Sequence, residues 1–165
     1  MRRVFRLVRK RFAATPFDGE GSVRFGGRFS SRGTRVVYTA ENLSLCMWEY
    51  FVHINETFSP DDLMLVVAEV PDTVSRVRME PKDLPPDWQS TPAPAHLAKY
   101  GDSFVRDAKA AILIVPSAIV LADDNWLLNP AHPDFRLISE PLVTPYPLDP
   151  RVLAMLKNHI KSGQS

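Results

Sequence analysis

The chain has 165 residues, of which 45% are hydrophobic, and this is enough apolar material for one globular domain with a buried core. Its single cysteine excludes an internal disulfide, and no apolar run approaches the roughly 18–20 residues that a membrane-spanning helix needs. The basic N-terminal segment lacks the long apolar stretch of a secretory signal, so we expect a cytoplasmic protein without a membrane partner.

Basic residues are concentrated near the N-terminus, although the net charge is only +1. Ten of the 20 lysines and arginines lie within residues 1–35, against two acidic residues, Asp18 and Glu20. A local positive field of this kind suits an anionic ligand such as a phosphate or pyrophosphate. A nucleic-acid-binding patch and a solvated strand edge are alternatives that composition alone does not separate.

In the first half of the chain, short β-branched and aromatic segments alternate with polar or glycine-rich ones. This pattern predicts strands at residues 4–8, 35–39 and 64–70, the last ended by Pro71. Residues 4–8 have basic flanks, which favours a position at the edge of the sheet. Residues 42–54 are apolar on most helical faces, which predicts a central, buried helix.

The second half of the chain contains a proline-rich segment and one strongly apolar run. Five prolines within residues 81–94 predict a loop on the surface. A helical pattern follows over residues 97–109, and the apolar run at 111–115 predicts a strand buried on both faces. Residues 135–138 are expected to form a late strand.

The C-terminal segment predicts a last helix, with Asp149 as its N-cap and Pro150 as its first residue. Leu153, Leu156 and Ile160 are its expected buried stripe. Strands outnumber helices and do not alternate with them regularly, which favours an α+β fold with mixed or antiparallel sheets over a doubly wound one. Because no linker divides the chain, we expect a single domain over residues 1–165.

Arg28 and Glu49 are the leading candidates for an active site. Arg28 follows Gly26 and Gly27, and because glycine allows the backbone to approach a ligand closely, Gly27 is a candidate substrate-binding residue. The Arg28 guanidinium suits bidentate binding of a phosphate, or else a structural salt bridge. Glu49 lies within the apolar helix, where an ionised carboxylate destabilises the fold unless it forms an ion pair, is hydrated in a cleft or has a role in function. An ion pair with Arg28 is the structural alternative.

Four further residues are candidates, each with a structural alternative. Tyr38, at the end of a strand, suits stacking on a flat ring or packing in the core. His53 lies four residues after Glu49 and so on the same helix face. Ser117 follows the buried strand, and Asn129 lies in a proline-rich loop, where each is a ligand contact or a turn residue. No metal site is expected, because the histidines and the cysteine lack zinc-ligand spacing.

Several segments follow one another in an order that is typical of a known family. They are GGRFSS at 26–31, VVYTA at 36–40, the helix with Glu49 and His53, VPSAIV at 115–120 and LLNPAHPDF at 127–135. This order resembles that of the RES-domain toxins, from Phe5 to about Leu153. The family is named for an arginine, a glutamate and a serine, which by motif fall on Arg28, Glu49 and Ser117.

The resemblance implies an ADP-ribosyltransferase-like fold and a toxin that cleaves NAD⁺ at its nicotinamide–ribose bond. NAD⁺ is then a substrate and not a cofactor, with water as acceptor in a glycohydrolase or inorganic phosphate as co-substrate in a phosphorylase. Glu49 would stabilise the oxocarbenium-like transition state, and Arg28 would hold the phosphates. Tyr38 would pack on the nicotinamide, and Ser117 would hydrogen-bond to the nicotinamide ribose or amide.

The same resemblance implies that His53 and Asn129 complete the pocket, and that an Xre-like helix-turn-helix antitoxin binds the toxin in an oligomer. No direct contact with nucleic acid is expected. Two other functions stay open from the sequence. One is an ADP-ribosyltransferase that modifies a host protein. The other is a non-enzymatic nucleic-acid-binding module that uses the basic N-terminus. We favour NAD⁺ degradation.

Overall fold

The computed structural model describes residues 1–53 and 62–162, with the backbone alone from residue 157. Within these ranges seven strands form one sheet in the order β4-β5-β6-β2-β1-β3-β7. The strands are β1 Arg2–Arg9, β2 Val37–Ala40, β3 Leu63–Val70, β4 Arg76–Arg78, β5 Ile112–Pro116, β6 Asp124–Leu128 and β7 Leu142–Pro145. Neighbouring strands are antiparallel, except that β4 and β5 are parallel. The predicted α+β class with a mixed sheet is confirmed.

Four α-helices accompany the sheet in the described part of the chain. They are α1 Glu20–Phe25, α2 Leu43–Phe51, α3 Ala98–Asp107 and α4 Pro150–Ser162. The predictions of α2, α3 and α4 are confirmed, the last with proline at its first position as expected. Leu156 is buried as predicted and Leu153 packs beside it, whereas the side chain of Ile160 lies outside the described residues.

The N-terminal strand lies inside the sheet, so the expectation of an edge strand is wrong. β1 pairs with β3 over eight residue pairs, from Arg2↔Val70 to Arg9↔Leu63, and with β2 on its other side. Val4, Leu7 and Val8 are buried. Basic flanks do not mark an edge here, because the arginines project from the faces and the end of the strand while both of its backbone edges are paired.

Helix α2 is less buried than its composition suggested. Asn42 caps its start, since the side-chain Oδ1 accepts a hydrogen bond from Leu45 N at 2.8 Å. Leu45 and Cys46 are buried, but Trp48 remains 50% exposed. The helix packs on β1 and β2 with one face. Met47, Tyr50 and Phe51 are partly buried against neighbouring apolar clusters, so α2 covers the core along one side and leaves Trp48 exposed.

Residues 135–138 do not form a strand, and that prediction is wrong. Residues Pro133–Leu137 form a 3₁₀-helix, whose start is stabilised because His132 Nδ1 accepts a hydrogen bond from Asp134 N at 3.1 Å. Proline at the first position fixes a helical φ angle. Strands β4, β6 and β7 and helix α1 are all short, and the sequence pattern did not predict them.

The apolar run at 111–115 forms β5, next to the edge strand β4, and its predicted burial is confirmed, since every residue of β5 is buried. The proline-rich segment is a surface loop, as predicted, apart from a short 3₁₀-helix at Pro81–Asp83. Trp88 anchors this loop in a buried cluster that also contains Phe29 and Phe104. The loop thereby reaches the mouth of the cleft next to the glycine-rich turn.

Candidate active site

A cleft of about 870 Å³ lies between β1, β2 and α2, and it is closed on one side by the glycine-rich turn and the proline-rich loop. Its lining includes five of the residues proposed from the sequence, which are Gly27, Arg28, Tyr38, Glu49 and His53. His53 lies two residues after the end of α2. The fold thus gathers side chains from distant parts of the chain around one space.

The glycine–arginine segment forms a tight turn with Arg28 and Phe29 at its tip. Gly27 and Ser30 exchange two backbone hydrogen bonds, and Gly26 has a φ of 70°, a conformation that favours glycine. The Nη1 atom of Arg28 donates to the carbonyl oxygens of Trp88 at 2.7 Å and Ser90 at 3.1 Å. One nitrogen of the Arg28 guanidinium is therefore bound to the proline-rich loop.

No ion pair joins Arg28 to Glu49. Over residues 1–53 and 62–162, Arg28 has no carboxylate oxygen within 4.0 Å. The structural alternative, in which an ion pair with Arg28 explains Glu49, is therefore wrong. Both side chains line the cleft separately.

Tyr38 supports the turn from β2. Its hydroxyl accepts a hydrogen bond from Phe29 N at 3.1 Å and pairs with Ser30 Oγ at 2.9 Å. A Cβ added at Gly27 would lie 2.6 Å from this hydroxyl, so Gly27 is needed for the close approach. Burial raises the pKa of Tyr38 to about 12, although the hydrogen bond with Ser30 acts against the shift. The hydroxyl thus has a structural role, while the ring lines the cleft.

Glu49 is held through one of its two carboxylate oxygens. Oε1 accepts hydrogen bonds from Ser117 Oγ at 2.9 Å and from Asn125 Nδ2. Among the described residues no donor bonds to Oε2. A carboxylate fixed on one side and open on the other is suited to interact with a developing positive charge in the cleft.

Ser117 positions Glu49 and does not itself line the cleft. It is fully buried, and its Oγ accepts hydrogen bonds from the backbone N–H groups of Ile119 at 3.0 Å and Val120 at 3.1 Å. Because the hydroxyl has one proton, which it donates to Glu49, its hydrogen-bonding capacity is fully used. This geometry gives no support to the expected direct contact between Ser117 and the substrate.

Asn125 is a site residue that sequence reasoning missed. It is the second residue of β6, which lies between β2 and β5, and it is opposite Ala40 on one side and Val115 on the other. The available signal was a polar residue directly before the apolar run Trp126–Leu127–Leu128, but β6 itself had not been predicted. Only the pairing of β5 with β6 brings Asn125 and Ser117 to the same carboxylate.

Asn129 lies away from the cleft. It is fully buried, and its Oδ1 accepts a hydrogen bond from Ala131 N at 3.1 Å, which makes it a turn residue. It is not among the residues that line the cleft. The structural alternative given for Asn129 describes its place better than the expected contact with substrate.

Arg6 is the second arginine of the cleft. Its Nη1 donates to the carbonyl oxygen of Tyr38 at 2.8 Å, while Nε is buried without a hydrogen-bond partner. Burial lowers the pKa of the guanidinium below its usual value. Over the described ranges no carboxylate oxygen lies within 4.0 Å of it. Arg6 therefore adds positive charge to the floor of the cleft.

The described residues contain no group of three or more histidine, cysteine, aspartate or glutamate side chains that could hold a metal ion. Cys46 lines the cleft beside Arg6, but burial raises the pKa of its thiol to about 12. The thiol is therefore protonated at neutral pH and is a poor nucleophile. No helix in the described part of the chain is long and apolar enough to span a bilayer.

Fold and site together describe an α+β protein with a mixed sheet and a cleft that carries two arginines and one oriented carboxylate. The sequence profile of the RES domain matches residues 3–150. The chain therefore belongs to the RES-domain family, and it is a RES-domain toxin like the relatives to which it is similar.

Two curated relatives and one solved structure show this similarity. A protein named Toxin Res from Yersinia enterocolitica is 32% identical over 150 residues, covering 90% of this chain and 98% of that protein. A Prs ADP-ribosylating toxin from Sphingobium sp. is 35% identical over 144 residues, covering 86% and 89%. A chain of the M. tuberculosis MbcT–MbcA toxin–antitoxin complex has the same fold, with a TM-score of 0.71, 17% identity, and coverage of 95% and 89%.

Proposed function

We propose that this toxin cleaves NAD⁺ at the bond between nicotinamide and ribose. The observation that carries the proposal is the orientation of Glu49, whose Oε1 is fixed by Ser117 and Asn125 while Oε2 has no protein donor among the described residues. As the C1′–N bond breaks, its electron pair leaves with neutral nicotinamide, and positive charge develops on the ribose. A carboxylate oriented before the reaction stabilises that charge without reorganisation.

Arg28 and Arg6 supply the positive charge that a pyrophosphate requires. Arg28 keeps Nε and Nη2 available after Nη1 has bound the proline-rich loop. Arg6 lines the same cleft, and among the described residues it has no carboxylate partner. An arginine fork binds phosphate oxygens with two parallel hydrogen bonds. The Tyr38 ring offers a flat surface for the nicotinamide.

The acceptor determines the product. With water, the new C1′–O bond gives ADP-ribose, and the water releases one proton. With inorganic phosphate, the product is ADP-ribose that carries a phosphate on the same carbon. The nucleophile comes from solution in both cases. We favour these soluble acceptors and hence depletion of NAD⁺.

Purified protein incubated with NAD⁺, with and without phosphate, tests the proposal directly. Mass spectrometry of the products should show nicotinamide with ADP-ribose or its phosphorylated form. Glu49→Gln is the matched control, since it keeps the shape of the side chain. Intact NAD⁺ after incubation with folded wild-type protein would contradict the proposal.

Transfer of ADP-ribose to a protein is the second candidate, and the name of the Sphingobium relative favours it. The bond that breaks is the same, but a protein side chain provides the nucleophile. NAD⁺ would then be consumed only in the presence of the acceptor protein, whose mass would rise by one ADP-ribosyl group. Incubation with a cell extract and NAD⁺ labelled in the adenosine part separates the two candidates.

Direct binding of nucleic acid through the basic N-terminus has less support. Several of the N-terminal basic residues are engaged within the protein: Arg9 pairs with Asp62 at 2.9 Å, Arg35 pairs with Glu20 at 2.6 Å, and Arg6 lines the cleft. This leaves a smaller basic surface than the sequence count suggests.

We propose further that the toxin belongs to a toxin–antitoxin pair and that an Xre-like helix-turn-helix antitoxin covers the cleft. The M. tuberculosis structure is a toxin–antitoxin complex. On this chain, exposed apolar residues lie beside the two charged sites: Phe25 (75% exposed) precedes the glycine turn, and Trp48 (50%) precedes Glu49. Exposed apolar residues around a polar cleft are typical of a protein-binding surface.

Expression of the toxin alone and together with its genomic neighbour tests the pairing. Toxin alone should arrest growth and lower cellular NAD⁺, and co-expression should restore both. Normal growth with soluble wild-type protein would contradict a toxic role. The Glu49→Gln variant provides the control for expression burden.

A further inference from the structure

Helix α3 packs directly against the back of the turn that carries Arg28. A Cβ added at Gly101 would lie 2.0 Å from the carbonyl oxygen of Phe29, so the helix approaches this backbone as closely as glycine permits. Phe104, one helical turn further on, packs with Phe29 in a buried cluster. The helix therefore touches the turn through a backbone contact as well as through apolar side chains.

Asp102, the neighbour of Gly101, binds the segment that follows the turn. Its Oδ1 accepts hydrogen bonds from Ser31 N at 2.9 Å and Thr34 Oγ1 at 2.6 Å, and its Oδ2 accepts one from Ser31 Oγ at 2.6 Å. Partial burial on its own would raise the pKa of this carboxyl, but the donors outweigh it and the pKa is lowered. Asp102 is therefore ionised at neutral pH and accepts three hydrogen bonds.

These contacts complete the support of the turn. Tyr38 binds Phe29 N and Ser30 Oγ from the side of the sheet. Asp102 binds Ser31, the residue directly after the Gly27–Ser30 bridge, from the side of α3. The orientation of the two-residue tip is thus fixed from both sides, although Asp102 itself is not among the residues that line the cleft.

We propose that Asp102 is a positioning residue, which sets the direction of the Arg28 guanidinium by fixing the end of the turn. The proposal rests on the proposed function of the cleft. An arginine at the tip of a turn moves with the backbone of that turn, and small displacements of a positioned charge reduce catalysis strongly. Asp102 thereby acts on the substrate through Arg28 and not by contact.

The first test compares Asp102→Ala with Asp107→Ala on the same helix. Asp107 forms an exposed ion pair with Arg106 at 3.0 Å and has no bond to the turn. We expect Asp102→Ala to lower kcat/KM for NAD⁺ about tenfold, because charge-assisted hydrogen bonds to the turn are lost. Asp107→Ala should remain within about twofold of wild type, since exposed pairs contribute little. Asp102→Asn, which keeps one acceptor oxygen, should restore part of the loss.

A double-mutant cycle separates positioning from general destabilisation. In an Arg28→Lys background, which retains weak activity, Asp102→Ala should cause no further loss of kcat/KM, because its effect passes through the Arg28 fork. A further tenfold loss in that background would overturn the proposal, since it would show that Asp102 acts independently of Arg28.

Hydrogen exchange provides a readout that does not depend on NAD⁺ cleavage. The N–H groups of Gly27 and Ser30 bond to each other's carbonyl oxygens, so their exchange reports the integrity of the turn. Asp102→Ala should accelerate their exchange relative to amides of β2, and Asp107→Ala should not. Unchanged exchange would overturn the positioning role. If wild-type protein leaves NAD⁺ intact, the proposed function fails, but this experiment still decides whether Asp102 fixes the turn.

Discussion

Arg28 and Glu49 line the same cleft, but the chain fixes them there in different ways. Arg28 lies at the tip of a local turn, within four residues that bond to one another, and its guanidinium is bound by backbone carbonyl oxygens. Glu49 lies on a helix and is fixed by the side chains of Ser117 and Asn125, which come from positions 68 and 76 residues away in the chain.

Because Arg28 and Glu49 are fixed in different ways, the two sides of the site should respond differently to substitution. A backbone carbonyl cannot be removed by mutation, so the Arg28 side is sensitive mainly to changes in Arg28 itself and in the residues that support the turn. The Glu49 side depends on two side-chain donors, and each can be deleted separately. Activity measurements on matched variants can therefore test each side by itself.

Glu49→Gln should have the largest effect and reduce kcat for NAD⁺ cleavage by at least about a hundredfold, because the charge that stabilises the transition state is lost. The amide oxygen can still accept hydrogen bonds from Ser117 and Asn125, so the fold should be retained. Product analysis together with circular dichroism measures both. Loss of the circular dichroism signal along with activity would show that Glu49 is structural.

Arg28→Ala should be nearly inactive, and Arg28→Lys weakly active, because an ammonium cannot reproduce the planar pair of donors. Loss of one bidentate contact costs about 1.5–3 kcal/mol, or about ten- to a hundredfold in kcat/KM. Steady-state kinetics with NAD⁺ measures the effect. If Arg28→Lys is as active as wild type, Arg28 does not bind phosphate through its guanidinium. Arg6 is then the next candidate, and Arg6→Lys is the variant that tests it.

Asn125→Ala should lower kcat/KM about tenfold, because Glu49 keeps one donor and loses the other. Ser117→Ala should have a similar effect on activity and also lower the free energy of unfolding by about 1–3 kcal/mol, since the N–H groups of Ile119 and Val120 lose their acceptor. Kinetics and urea unfolding on both variants test this contrast. Wild-type activity in both variants would mean that the orientation of Glu49 does not depend on these donors.

The Tyr38 hydroxyl should make stability depend on pH in alkaline solution. Its pKa is about 12 in the folded protein and near 10 in the unfolded chain, so between these values the unfolded state binds fewer protons. The free energy of unfolding should therefore fall as the pH rises from about 10 to about 12. The free energy of unfolding of the Tyr38→Phe variant, measured by urea unfolding, should fall less steeply over this range. Equal slopes would show that the hydroxyl is not protected by burial.

The predictability of the fold depended on the length and periodicity of each element. The apolar run of β5 and the amphipathic helices α3 and α4 were predicted, because a core-facing segment of this length leaves a clear hydrophobic pattern. β4, with three residues, leaves none. Residues 135–138 have a strand-like composition, but Pro133 and the His132 cap determine a 3₁₀-helix there.

The site shows the same division. Arg28, Tyr38 and Glu49 are candidates on the sequence alone. Two adjacent glycines precede Arg28, Glu49 is a carboxylate in an apolar helix, and Tyr38 lies at the end of a predicted strand. The tertiary structure adds that Asn125 fixes Glu49, that Asn129 supports a turn, and that Arg28 and Glu49 do not pair. A carboxylate in an apolar helix is recognisable from its neighbours in the sequence. A hydrogen bond between residues 76 positions apart depends on the pairing of β5, β6 and β2, whose register no local pattern specifies.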